Sequence, residues 1–142
     1  MLDELVATAT VRINAPICKV WNALINPELI KDYMFDTTVI SDWKEGSSIM
    51  WKGEWKGKPY EDHGVILSIE EEKMLQYSHF SPMEGVEDKP ENYRIVTFEL
   101  FEEENDVLVN LFQDNNPSEK AKEESEKNWN MMLSSMKEML ES

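Results

Sequence analysis

The chain has 142 residues, 41% of them apolar, and five tryptophans. That is enough to bury a core as one domain, and it excludes a disordered acidic tail. The formal net charge of −15 argues against nucleic-acid and anionic-membrane partners, which are held through Lys and Arg. The excess acid reads as a solubilising surface or as a docking face for a basic protein partner. Cys18 is the only cysteine, so no intramolecular disulfide can form. The opening MLDELVATATVRI has no basic n-region and no apolar run of signal length. No segment approaches the roughly 20 apolar residues of a bilayer span. A soluble cytoplasmic protein without membrane insertion is expected.

In chain order, Leu5 to Ile13 alternates Leu5, Ala7, Ala9, Val11, Ile13 against polar neighbours, the pattern of a strand with one apolar face. Asn14-Ala15-Pro16 turns the chain into a helix whose Ile17, Val20, Trp21 and Leu24 form one stripe. Asn26-Pro27 interrupts it and starts a second short helix through Tyr33. The period then changes. Strands are expected at Thr37 to Ser41, at Ser48 to Trp55 with Ile49, Trp51 and Trp55 on one side, and at Glu61 to Glu70 through Val65, Leu67 and Ile69. Lys44 to Ser47 and Lys56 to Pro59 are the turn signals between them. Met74 to Phe80 alternates Leu75, Tyr77 and His79, and Ser81 to Glu91 reads as a long loop. Tyr93 to Phe101 and Val107 to Phe112 form a hairpin.

Pro117 to Glu141 closes the chain as one long helix. Asn116 is the expected N-cap, with Pro117 in the first turn and Glu119 reaching back. Ala121, Ser125, Trp129, Met132, Leu133, Met136 and Leu140 share a face. Clustered strands flanked by helices point to an α+β fold, not to βαβ units.

No metal-ligand spacing, nucleophile elbow, phosphate loop or dinucleotide fingerprint occurs, so no cofactor, metal or catalytic set is expected. Cys18 is expected as a small buried side chain. His79 either orients a polar ligand head or packs at a strand end on Phe80 or Tyr93. Arg12 and Arg94, the only arginines, are expected in surface ion pairs. Trp51, Trp55, Trp129, Met132 and Met136 either line an adaptable pocket or fill the core. Trp43, in a polar stretch, is a candidate exposed contact.

Several stretches together resemble the START-like, helix-grip (Bet v 1-like) superfamily, and within it the group related to the activator of Hsp90 ATPase. They are Ile13-Asn14-Ala15-Pro16, Val20-Trp21-Asn22-Ala23-Leu24, Asn26-Pro27-Glu28, and Glu45-Gly46-Ser47 before Trp51. Gly64-Val65 before Ile69, Leu75-Gln76-Tyr77, and Trp129 with Leu133 and Leu140 complete the set. Asn128, Tyr33 and His79 depart from the group's usual Gly, Trp and aromatic residue. The resemblance implies a curved antiparallel sheet of six or seven strands wrapped around the C-terminal helix, with two short helices after the first strand. It also implies a cavity there, with Trp21, Trp51, Tyr77, His79, Phe98, Trp129, Met132 and Met136 as its expected lining. Binding of a hydrophobic small molecule or lipid-like ligand without catalysis is the leading expectation. The alternative is an interaction domain for an Hsp90-type chaperone. A cyclase- or hydratase-like enzyme comes third, and it would need Tyr77, His79 and Tyr93 to converge.

Overall fold

The computed structural model describes residues 5–82 and 85–142, without the side chain of Trp55. The first strand, β1 (Ala7–Ile13), buries Ala7, Ala9 and Ile13 and turns its threonines outward, as the alternation requires. Helix α1 (Ile17–Ile25) buries Val20, Trp21, Ala23 and Leu24. Asn26 ends α1 and caps α2 (Pro27–Tyr33): its side chain accepts from the Glu28 amide while Pro27 occupies the first turn. The Tyr33 hydroxyl donates to the buried Ala23 carbonyl at 2.8 Å and ties the two helices together.

Strands β2 (Thr38–Ser41), β3 (Ser48–Trp55), β4 (Lys58–Glu70), β5 (Met74–His79), β6 (Arg94–Glu102) and β7 (Val107–Gln113) follow as an antiparallel meander. With β1 added beside β7, the sheet order is β1-β7-β6-β5-β4-β3-β2. Helix α3 (Glu119–Glu141) lies on its inner face. At 1.5 Å per residue α3 runs about 35 Å, and it buries Met132, Leu133 and Met136 against the sheet. The fold class is the expected α+β helix grip.

The structure corrects several local expectations. Strand β4 begins at Lys58 rather than Glu61, because the turn before it is only Lys56-Gly57. Both residues have positive φ (52° and 81°), the geometry of a tight two-residue hairpin. Val65 and Leu67 face outward, and Gly64 and Ile66 are the inward residues. A bulge between Ile66 and Ser68 shifts the register, so Ile69 again packs inward. Reading Val65, Leu67 and Ile69 as one face therefore crosses a register change.

The N-cap of α3 is Ser118, whose hydroxyl accepts from the Ala121 amide, a cap worth about 1 kcal/mol. Asn116 is instead buried in a tertiary role. Its amide nitrogen donates to the Leu5 and Gln113 carbonyls, and its oxygen accepts from Ser125. Pro117 precedes the helix, and Glu119 is its first residue, too early to reach back as in a capping box. Cys18 is exposed, not buried. Trp43 is half-buried and packs on the core, so it marks no exposed contact.

Helix α3 also covers the free edge of β1. Glu126 accepts from the Thr8 amide at 3.0 Å, and the Lys137 ammonium donates to the Arg12 carbonyl at 2.8 Å. These charged side chains occupy backbone groups that would otherwise offer a pairing edge.

Candidate functional site

Between the inner face of the sheet and α3 lies a cavity of about 700 Å³. Neighbouring strands build its wall by their two-residue period. Trp51 comes from β3, Tyr60 and Asp62 from β4, Tyr77 and His79 from β5, Arg94 from β6 and Gln113 from β7. Ser125, Asn128, Trp129 and Met132 close it from α3. The link from α2 to β2 supplies Phe35, 61% exposed, at positive φ (54°) and followed by Asp36 at 66°. A bulky residue in that conformation stores of order 1 kcal/mol of strain, which the fold retains at the cavity rim.

The aromatic wall is continuous. The Trp51 ring centroid lies 4.9 Å from those of both Tyr77 and His79. Behind this wall, in the core, Phe98 sits 6.3 Å from Tyr77 and meets Trp129 edge-on at 6.2 Å. The polar side is equally ordered. His79 Nε2 donates to Asp62 Oδ2 at 2.9 Å, and Thr37 and Tyr60 share a hydroxyl pair at 2.9 Å. Gly53, paired with Tyr60, leaves the space the Tyr60 ring fills: a Cβ there would meet its hydroxyl at 2.7 Å. Asp62 Oδ1 and Gln113 Oε1 are buried, and neither has a hydrogen-bond partner among the described residues.

Of the residues expected as a ligand lining, the structure places Trp51, Tyr77, His79, Trp129 and Met132 around this pocket. Trp21, Phe98 and Met136 are buried in the core and are not part of this lining. Sequence reasoning missed Asp62 and Gln113. The signal for Asp62 was its place two residues before Gly64, hidden by the wrong inward face of β4. His79 does not pack on Phe80 or Tyr93; those rings contact His63 on the opposite face of the sheet. There His63 Nε2 lies 3.1 Å from Asp88 and 3.0 Å from the Tyr93 hydroxyl, which donates to Asp88 at 2.6 Å. The Tyr93 hydrogen bond, then His63, holds the Asp88 carboxyl below the usual range. Tyr93 therefore does not converge with Tyr77 and His79. Arg12 pairs with Glu103 at 3.0 Å on the surface, as expected. No group of His, Cys, Asp and Glu among the described residues is placed to hold a metal ion. No described helix is long and apolar enough to cross a membrane.

Burial raises the phenol pKa of both Tyr33 and Tyr77 far above its usual value of about 10. Tyr93 is pushed up to about 12, chiefly by its hydrogen bond to Asp88. A pKa raised on folding contributes stability that is complete below the unfolded value and lost as pH rises toward the folded one. The fold should therefore weaken progressively above about pH 10. In an alkaline titration followed by phenolate absorbance and circular dichroism, Tyr33 and Tyr77 should ionise only together with unfolding. Full ionisation of every tyrosine with the fold intact would contradict their burial.

A curved antiparallel sheet gripping one long helix, with an aromatic cavity between them, defines a helix-grip protein of the START-like superfamily. The chain belongs to the Activator of Hsp90 ATPase homolog 1-like protein family, whose model matches residues 14–141. Similar solved structures include ChR145 from Cytophaga hutchinsonii, 59% identical with a TM-score of 0.87 over 99% of this chain and 97% of that one. The Aha1 dimer from Colwellia psychrerythraea is 19% identical, with a TM-score of 0.73 over 99% and 96% of the two chains. DynU16, from the dynemicin biosynthetic locus, is 13% identical with a TM-score of 0.82; the match covers 99% of this chain and 48% of that one. These last two likenesses show the fold alone. No protein of curated function matches the chain.

Proposed function

We propose that the protein binds a hydrophobic small molecule or lipid-like ligand between the sheet and α3, in the cytoplasm, without transforming it. The cavity of about 700 Å³ carries this reading. It lies inside the roughly 300–1,000 Å³ range of small-molecule sites. Its walls combine rigid rings (Trp51, Tyr77, Trp129) with the adaptable thioether of Met132. A wider basin of about 970 Å³ on the outer sheet face is lined by Val65, Leu67, Ile95 and Tyr93. It lacks the enclosing helix, and we assign it no ligand. Binding is favoured over catalysis because Tyr93 stands on the opposite face from Tyr77 and His79.

Native mass spectrometry of freshly purified protein, compared with its denatured mass and an organic extract, tests this reading. A co-purifying small molecule released on denaturation is expected. No bound mass, and no uptake from a chemically diverse apolar panel, would overturn it. Family membership and the net charge of −15 favour a second reading, docking to an Hsp90-type chaperone. That reading fails if the protein neither binds nor stimulates such an ATPase at low salt.

A further inference from the structure

The cavity holds two buried oxygens of one kind. Asp62 Oδ1 and Gln113 Oε1 are both acceptors, and neither meets a donor among the described residues. Gln113 is only 5% exposed, and the Asp62 side chain 14%. Acceptors stripped of water in this way cost free energy until a donor reaches them. The Asp62 carboxylate is half engaged, since His79 Nε2 already donates to its Oδ2. The cation on the same wall, Arg94, is already engaged within the protein. The lining therefore has unmet acceptor capacity to offer a ligand. An overall charge of −15 further disfavours an anionic head.

From this geometry we infer that the ligand is an amphiphile whose polar end donates hydrogen bonds, a hydroxyl or N–H group, and is not a carboxylate. A donor on its polar end meets Asp62; Gln113, on β7 with β5 and β6 between, accepts from a second donor; and the apolar body lies along Trp51, Trp129 and Met132. The inference rests on the cavity-binding reading and names the chemistry of the head group. Terminal carboxylate and amide torsions are broad, so a small rotation presents either oxygen to an arriving donor. His79 fixes the other carboxylate oxygen and thereby the plane of the group, which makes it a positioning residue.

The test compares decanol, methyl decyl ether and decanoate, followed by tryptophan fluorescence and by the indole N–H resonances of Trp51 and Trp129. The alcohol and ether share a decyl chain and an sp3 oxygen that can accept, but only the alcohol donates. Wild-type protein should bind decanol about tenfold more tightly than the ether, the worth of one hydrogen bond to a charged acceptor. It should bind decanoate most weakly, still so in 0.5 M salt where long-range repulsion is screened. In Asp62→Asn the amide oxygen stays with His79, so the NH₂ group replaces the orphan acceptor with a donor. The preference for decanol over the ether should then vanish or reverse, with the ether bound as in wild type. Equal wild-type affinity for alcohol and ether, or tighter binding of decanoate, overturns the head-group inference while leaving cavity binding intact. Failure of all three, the ether included, overturns both.

Discussion

Replacing Gly64 with alanine should destabilise the protein by about 3 kcal/mol or more. Gly64 lies near the end of the β3 pairing of β4, where the strand passes to β5. A Cβ there would fall well inside van der Waals contact of the Ser78 carbonyl oxygen and 2.6 Å from its carbonyl carbon. Both atoms are backbone, in a strand paired on both sides, so they cannot swing away as a side-chain tip would. Gly64 carries no positive φ, so its requirement is space and not conformational freedom. The clash also has a local consequence. Asp62 is two residues away on the same face, and a β4 pushed off β5 lengthens its 2.9 Å contact with His79. Urea denaturation should show the loss as a lower midpoint at nearly unchanged slope. A midpoint within experimental error of wild type would mean that the two strands are farther apart than described.

Met136→Ala should cost about 3 kcal/mol, within the 2–5 kcal/mol usual for emptying a fully buried site. Met136 is completely buried against the sheet, and α3 is pinned to β1 through Glu126 and Lys137, which resists closing of the gap. Yet Met136 is not part of the cavity lining, whereas Met132, one turn earlier, is. The two substitutions should therefore separate. Met136→Ala lowers stability and leaves the affinity for a cavity probe unchanged. Met132→Ala enlarges the cavity and changes which probes fit. Denaturant titration and ligand titration of both variants distinguish the positions. Loss of binding in Met136→Ala at a concentration where the protein remains folded would move the ligand deeper along α3.

The architecture was legible wherever one physical rule acted alone. The β1 alternation, the α1 stripe, the Asn26-Pro27 break and the long α3 stripe each follow from burying one face at a fixed period. The failures have a common cause, which is that tertiary geometry chose between local options of similar worth. Asn116 and Ser118 can both cap a helix. The free carbonyls of Leu5 and Gln113 claim Asn116, and the cap passes to Ser118. In β4 every residue from Val65 to Ile69 except Ser68 is apolar, so the inward face rested on a bulge the pattern does not announce. That single misreading also concealed Asp62. The aromatic side of the cavity was legible because Tyr77 and His79 follow Leu75 at a strict period of two. Gln113 lay beyond the expected end of β7.

The helix at the centre of the grip follows all seven strands in chain order. Every strand of the concave sheet is therefore made before the segment that fills it. Until α3 arrives, the inward faces of Ile66, Val96 and Leu111 have no partner on their open side, and such exposed surface invites association with other nascent chains. A chain cut shortly after Gln113 would thus be a sticky half-shell. Helix α3, made after every strand, decides whether that inner face is covered.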